Sequence, residues 1–174
     1  MPTLSIREAT PEDSAAIAGV QVRAWQWAYR KQLPDALLDG MSVEQRTEVW
    51  GQILGRDRQS ALTWVAELDG MPIGFASAGH CRDTDMPSGT GELYAVYLAE
   101  EQYTRHSVGT MLFVEASNFL RGELDCSSVT AWVVETNIIA RNFYESLGFR
   151  PDGATQRQEE SGATWTEVRY SMEL

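Results

Sequence analysis

The sequence is poor in cysteine and in long apolar runs. Its 174 residues include two cysteines, Cys81 and Cys126, which fit no metal-binding spacing and no disulfide framework of a secreted protein. No run reaches the roughly 18 apolar residues that a membrane-spanning helix needs. The opening residues, MPTLSIREATPED, lack the apolar stretch of a signal peptide. These absences predict a cytoplasmic protein with free thiols, no bound metal and no membrane partner.

Positive charge is also scarce. Lys and Arg total 14 against 25 Asp and Glu, which gives a formal net charge of −11 at pH 7. Proteins that bind nucleic acid usually carry a clustered basic face, and no such cluster is present, so we expect no nucleic-acid partner. The acidic surface has two readings. The simpler one is that it keeps the protein soluble, and the other is that it steers a cationic acceptor toward a site.

What the chain does contain is enough apolar material for one core. Hydrophobic residues make up 43% of the sequence, and no linker, repeat or low-complexity tract divides it, so residues 1–174 are predicted to form a single domain. Alternating or continuous apolar runs bounded by turn residues predict strands at residues 4–7, 62–67, 73–79, 93–98, 129–134, 153–160 and 164–172. Capping residues predict helices that begin near Thr10, Ser42, Ser107 and Asn137, with a short helical turn at residues 34–40.

Residues 91–113 form the stretch around which the chain is organised. They are predicted to form a strand, a polar loop at residues 100–106, and a helix from about Ser107. A helix that begins just beyond a strand end presents free N–H groups and the positive end of its dipole, which favour an anion. Gly109 lets the backbone approach a ligand closely.

A second stretch, TAWVVETNIIARNFYESLGF at residues 130–149, has the same order of strand and helix. Either Thr136 or Asn137 can cap the helix, and Gly148 stands where a helix ends in the left-handed conformation. The apolar face of the helix is formed by Ala140, Phe143, Tyr144 and Leu147.

Together the two stretches resemble the signature motifs of the GNAT superfamily of N-acetyltransferases. In that family a loop patterned Q/R-x-x-G-x-G/A holds the pyrophosphate of acetyl-CoA. Only the last glycine of that pattern is kept in the matching residues Thr104, Arg105, His106, Ser107, Val108 and Gly109. The second motif is nearly complete. The resemblance implies an α/β (α+β) fold with a mixed, mostly antiparallel sheet of six to seven strands. About four helices flank the sheet, and its strands splay apart at the cofactor site, here after Val96.

The resemblance also implies a reaction. An acetyl group would pass from acetyl-CoA to a primary amine of a small molecule, peptide or protein, by direct attack in a ternary complex and without a metal. The residues that the resemblance assigns to the cofactor are Val96, Tyr97, Leu98, Thr104, Arg105, His106, Ser107, Val108, Gly109, Thr110, Asn137 and Arg141. Tyr144 matches the family's tyrosine that donates a proton to the leaving thiolate, although it could instead be a core residue. Trp25 and Tyr29 either touch the acceptor or only pack on the sheet.

The base is the least defined role. Several relatives place a Glu on the central strand, and Glu92 begins that strand here. By alternation its side chain shares a face with Tyr94 and Val96 unless a bulge intervenes. A solvated strand-end acid is nearly as good a reading of Glu92, and His80 and Glu135 are weaker substitutes. Positioning alone also accelerates such transfers, so a strong base is not required.

Other functions remain open from the sequence. The glycine-poor loop is compatible with a regulatory or sensory protein that binds CoA with little turnover, because fold does not fix function. A structural or partner-binding domain without a CoA site is a third reading. The acceptor could be a polyamine, an amino acid, an antibiotic amine, a peptide N-terminus or a lysine. A homodimer is left open.

Overall fold

The computed structural model describes residues 2–56 and 59–174. Its seven strands are β1 (Leu4–Glu8), β2 (Ala61–Leu68), β3 (Met71–His80), β4 (Thr90–Leu98), β5 (Ser128–Val134), β6 (Arg150–Glu160) and β7 (Ala163–Glu173). Its α-helices are α1 (Ser14–Ala28), α2 (Asp35–Asp39), α3 (Val43–Leu54), α4 (Val108–Gly122) and α5 (Ile138–Leu147). Two 3-10 helices, Pro11–Asp13 and Glu101–His106, lead into α1 and α4.

The strands form one sheet in the order β1-β2-β3-β4-β5-β7-β6. All neighbouring strands are antiparallel except β4 and β5, which are parallel. Helix α4 supplies the crossover that a parallel pair requires. The predicted mixed, mostly antiparallel sheet is therefore confirmed.

Local sequence signals account for most element ends. The β2–β3 turn uses Asp69 and Gly70 at φ of 50° and 78°, the positive values of a tight hairpin turn. Asn137 Oδ1 accepts a hydrogen bond from Ala140 N at 3.1 Å and caps α5. Gly148, at φ of 106°, ends that helix in the left-handed region.

The core lies on both faces of the sheet. On one face α4 and α5 bury residues such as Leu112, Phe113 and Tyr144 against β3, β4 and β5. On the other face α1 and α3 pack Ile17 and Trp50 onto the sheet. Apolar burial on both faces stabilises the sheet at about 25 cal/mol per Å² removed from water.

A β-bulge interrupts the central strand. Ser77 pairs with Ala95 and Ala78 pairs with Leu93, so Tyr94 is the extra residue of β4. Before the bulge Leu93 faces α4, and after it Val96 faces α4. Glu92 and Val96 therefore lie on opposite faces, and the face-sharing expected from simple alternation fails because the extra residue shifts the parity.

The pairing of β4 with β5 is short. It joins Thr90, Gly91 and Glu92 to Ser128, Val129 and Thr130, and no pairing is found beyond it. The two strands separate after Glu92, earlier than the predicted point after Val96. Their separation leaves unpaired backbone along the rest of β4, which is the opening expected at the cofactor site.

Candidate active site

A cavity of about 460 Å³ opens where β4 and β5 separate. Residues from both faces of the sheet line it: α4 and α5 contribute from one face, and α1 contributes from the other. The volume lies in the range of small-molecule sites. The predicted site residues among its lining are Tyr29, Val96, Tyr97, Leu98, Thr104, Arg105, Ser107, Gly109, Thr110, Asn137 and Tyr144.

The start of α4 forms one end of the cavity. Ser107 precedes the helix with φ of 58° and ψ of 13°, the left-handed conformation, and its side chain makes no capping hydrogen bond. Its carbonyl accepts the first helical hydrogen bond from Met111 N at 2.9 Å. The N–H groups of the first turn have no partner within the helix, which makes this end suited to an anion.

Gly109 lies at a close contact between helices. A Cβ built on Gly109 would lie 3.1 Å from Cε2 and Cζ of Phe143. Its lack of a side chain therefore brings α4 close to the ring of α5, a reason the sequence pattern alone did not give.

Tyr144 presents a hydroxyl to the cavity. The residue is 7% exposed, and its ring packs against Phe143 and Phe149 with centroids 5.3 Å and 5.4 Å away. No hydrogen-bond partner for its hydroxyl is found in residues 2–56 and 59–174. Burial raises the pKa of this phenol. It stays protonated across neutral pH and keeps a free donor at the cavity wall.

Two further tyrosines face the cavity from the opposite side. Burial raises the pKa of Tyr29 and of Tyr97, and the Asn137 side chain bonds to the Tyr29 hydroxyl and partly offsets that rise. Trp25 stands next to Tyr29, with ring centroids 5.0 Å apart. The Trp25 side chain bonds to the Tyr97 hydroxyl and partly offsets the rise in the pKa of Tyr97, and Trp25 does not line the cavity.

Glu92 is held in an ion pair away from the cavity. The residue is 2% exposed, and its carboxylate accepts from Arg82 N at 3.0 Å, Nε at 3.1 Å and Nη2 at 2.6 Å. The Arg82 guanidinium also lies 4.3 Å from the centroid of the Tyr94 ring. Glu92 is absent from the cavity lining, so its role as a base remains a prediction that the geometry does not favour.

Three more predicted residues point elsewhere. His106 is exposed and does not line the cavity. Val108 is 1% exposed and its side chain belongs to the core. The Arg141 guanidinium donates to the Tyr170 hydroxyl at 2.9 Å and to the Glu135 carbonyl at 3.0 Å, which leaves Arg105 as the predicted basic residue that lines the cavity.

Four aromatic residues line the cavity that the sequence had not assigned to it: Trp27, Tyr94, Trp132 and Phe143. Trp27 donates from Nε1 to the Leu98 carbonyl at 2.9 Å, so that carbonyl is already engaged. Tyr94, the bulge residue, donates to the His80 carbonyl at 2.6 Å, and burial raises its pKa to about 12. Trp132 reaches the cavity from β5. In the sequence, the six Trp and six Tyr were the only indication of such a lining. Which of these residues reach the cavity depends on the bulge and on the strand separation, which the sequence does not show.

Arg169 ties the loop before β4 to the sheet. Its side chain is 6% exposed and pairs with Asp83 at 3.0 Å, Asp85 at 2.7 Å and Asp152 at 2.6 Å. Asp83 also accepts from Trp132 Nε1 at 3.0 Å. The loop is thereby fixed as a support for the Trp132 wall, rather than acting as a free connection.

Residues 2–56 and 59–174 contain neither a candidate metal site nor a candidate membrane span. No group of three or more His, Cys, Asp or Glu residues there could hold a metal ion. No helix in those ranges is long and apolar enough to cross a membrane.

Sequence comparisons identify relatives that cover most of the chain. The acetyltransferase (GNAT) family profile matches residues 21–149. The uncharacterized N-acetyltransferase YuaI of Bacillus subtilis (strain 168) is 31% identical over 171 residues, which are 95% of this chain and 94% of that protein. A protein of Mycobacterium tuberculosis named probable N-acetyltransferase Rv2775 is 30% identical over 154 residues, which are 87% and 83% of the two chains.

Solved structures share the fold. The PaiA N-acetyltransferase of Thermoplasma acidophilum, in complex with coenzyme A, matches with a TM-score of 0.79 and 19% identity over 99% of both chains. A GCN5-related N-acetyltransferase from Rhodopseudomonas palustris matches with a TM-score of 0.75 and 21% identity over 99% of this chain and 96% of that one. The profile match and the two sequence relatives establish the family that the resemblance implied. The chain belongs to the GNAT family of N-acetyltransferases.

Proposed function

We propose that the chain, acting as a single domain of residues 1–174, transfers an acetyl group from acetyl-CoA to a primary amine by direct attack in a ternary complex. The observation that carries this proposal is the free, protonated Tyr144 hydroxyl at the wall of a cavity between two separated strands. The PaiA structure, solved with coenzyme A, supports the choice of donor.

The residues present fit acetyl-CoA. The first turn of α4 offers unpaired N–H groups to the pyrophosphate, and Arg105 and Thr110 stand beside it on the cavity wall. The unpaired backbone of β4 beyond Glu92 offers hydrogen bonds of the added-strand kind to the amides of the pantetheine arm. The Leu98 carbonyl is not available for such a bond, because it accepts from Trp27 Nε1.

Acetyl-CoA supplies the activated acetyl group as a thioester. Tyr144 holds its proton throughout neutral pH and donates it, or a strong hydrogen bond, to the sulfur as negative charge develops there. Burial raises the pKa of Tyr144, so complete transfer of its proton to the sulfur is disfavoured at first. Tyr144 therefore begins by donating a hydrogen bond to the sulfur. Residues such as Trp27 and Trp132 narrow the cavity and hold the acceptor in a reactive orientation.

The proton of the attacking amine leaves by another route. Glu92 is occupied by Arg82, so we assign loss of the ammonium proton to solvent before the amine binds, with positioning supplying the rate enhancement. The neutral amine loses a further proton to solvent as the C–N bond forms and the C–S bond breaks, and Tyr144 regains from solvent the proton that it gives to the sulfur. The rate should then follow the fraction of neutral acceptor amine in solution.

A second candidate is a CoA-binding protein with little turnover. The strained Ser107 favours it, because a side chain stands where the family pattern has glycine. Calorimetry with acetyl-CoA, followed by thiol release in the presence of a panel of primary amines, separates the two. Binding with amine-dependent thiol release and an acetylated product is expected. Binding without thiol release for every amine would support the second candidate.

A further inference from the structure

The geometry points to a subsite for an ammonium group at Glu167, next to the α1 wall of the cavity and outside its immediate lining, and hence to acceptors that carry a second, cationic amino group besides the one acetylated. This inference rests on the proposed function, since it names the acceptor class of the same site. It concerns residues that neither family motif contains.

Glu167 lies on the sheet face that carries α1. It pairs with Val134 of β5, and Val134 is buried with Tyr29 in a cluster that also contacts Trp25 and Trp165. The α4 and α5 helices, where the cofactor would bind, cover the opposite face. Glu167 is therefore placed away from the cofactor end and next to the α1 wall.

The Glu167 carboxylate is oriented by neutral donors. It accepts from Gln156 Nε2 at 2.8 Å, from Gln158 Nε2 at 3.4 Å and from Trp165 Nε1 at 3.3 Å. No Lys or Arg of the described ranges pairs with it. Three donors that carry no charge fix the position of the carboxylate and leave its negative charge without a counter-ion, an arrangement that suits a cationic ligand.

Trp165, which donates to Glu167, belongs to a group of aromatic rings. The Trp25 and Trp165 ring centroids are 6.0 Å apart, and Tyr29 stands 5.0 Å from Trp25. Burial is the main cause that raises the pKa of Tyr29 and of Tyr97, and the negative charge of Glu167 adds to the rise in both. The electrostatic field of Glu167 therefore reaches two tyrosines that line the cavity. Aromatic faces grouped around a carboxylate attract ammonium ions through cation–π and Coulomb interactions.

Nearby charges do not cancel this one. Arg46 also acts on the Tyr97 hydroxyl, but its guanidinium is paired with Glu160 at 2.9 Å. Arg169 on the same strand is already bound to three aspartates. The net charge of −11 further favours the approach of a cation.

The test compares acceptors that differ only at the far end. Unbranched diamines of increasing chain length are compared with monoamines and ω-amino acids of the same length. We expect kcat/KM for the best diamine to exceed that of its matched monoamine by about tenfold or more, and the amino acid to be the poorest. Glu167→Gln should bring the diamine-to-monoamine ratio close to one, with the KM for acetyl-CoA unchanged.

Two other variants keep the test decisive. Glu167→Asp retains the charge and should retain part of the diamine preference. Glu159→Gln removes an exposed carboxylate on β6 and should leave the ratio unchanged. Equal ratios for wild type and Glu167→Gln, or equal losses in Glu167→Gln and Glu159→Gln, would overturn the subsite.

A binding assay separates this inference from the proposed function. An alkyltrimethylammonium ion, which cannot be acetylated, should quench tryptophan fluorescence in wild type and bind at least tenfold more weakly to Glu167→Gln. If no amine is acetylated while this difference holds, the acetyl-transfer proposal fails and the subsite stands. If the ion binds both proteins equally, the subsite is refuted whatever the activity.

Discussion

Replacing Ser107 with glycine should stabilise the protein. Ser107 adopts φ of 58° and ψ of 13°, and its side chain makes no capping hydrogen bond that would be lost. The left-handed conformation costs a residue with a side chain about 1–2 kcal/mol, whereas glycine loses about 0.5–1 kcal/mol more backbone entropy on folding. The net gain therefore lies between about 0 and 1.5 kcal/mol, and its midpoint of ~0.75 kcal/mol corresponds to a rise in Tm of about 1.5–3 °C for a chain of this size.

The same change should tighten acetyl-CoA binding. Ser107 lines the cavity at the start of α4, where its Cβ would crowd the pyrophosphate in the proposed binding mode. Removing it should gain on the order of 1 kcal/mol of binding free energy or less.

Ser161 offers a matched control for both effects. It has φ of 52° in the β6–β7 turn, outside the cavity lining. Ser161→Gly should raise Tm by a similar amount and leave the Kd for acetyl-CoA unchanged, measured by differential scanning and titration calorimetry. Weaker binding by Ser107→Gly would mean that the serine hydroxyl is a ligand donor, and equal Kd values for both variants would place the pyrophosphate elsewhere.

Three further predictions follow from the buried polar groups. Glu92→Gln should leave the shape of the pH–rate profile unchanged. It should lower the free energy of unfolding by about 1–3 kcal/mol, because the Glu92 carboxylate is bonded to Arg82. A rate that falls mainly below the pKa of the acceptor amine would instead identify Glu92 as the base. Arg169→Gln leaves three aspartates without their cation. It should lower the free energy of unfolding in urea by about 3 kcal/mol or more, and raise the KM for the acceptor rather than for acetyl-CoA. Equal rises in both KM values would contradict the role of the loop before β4 as a support for the Trp132 wall. Stability should fall above about pH 10. Tyrosines of the unfolded chain then ionise, whereas burial raises the pKa of Tyr144 in the native state and keeps it protonated. Urea midpoints measured from pH 7 to 11 test this, and Tyr144→Phe should show a smaller decrease with pH.

The sequence predicted the elements well where a local signal existed. The Asp69-Gly70 turn, the Asn137 cap and the Gly148 end of α5 each depend on a residue's own conformational preference, so they could be predicted without knowledge of the tertiary fold. The mixed, mostly antiparallel sheet of six to seven strands followed from the family resemblance, whereas the strand order and the parallel β4–β5 pair came from the structure.

The site was less predictable, because it depends on contacts distant in the sequence. The bulge at Tyr94 changes which face each later residue of β4 occupies, and only the pairing with β3 reveals it. Glu92 and Arg141 looked available because their partners, Arg82 and Tyr170, are not implied by either motif. Trp27 was missed because nothing in the sequence places its indole near the Leu98 carbonyl.

Single-turnover kinetics of Tyr144→Phe test the central claim most directly. The ring should keep its contacts with Phe143 and Phe149, so thermal unfolding and the Kd for acetyl-CoA should match wild type. The protein saturated with acetyl-CoA is mixed rapidly with the best amine, and thiol release is followed. Loss of the proton donor should slow that step by about 100-fold. Equal rates of thiol release in the two proteins would contradict the claim that Tyr144 serves the leaving thiolate.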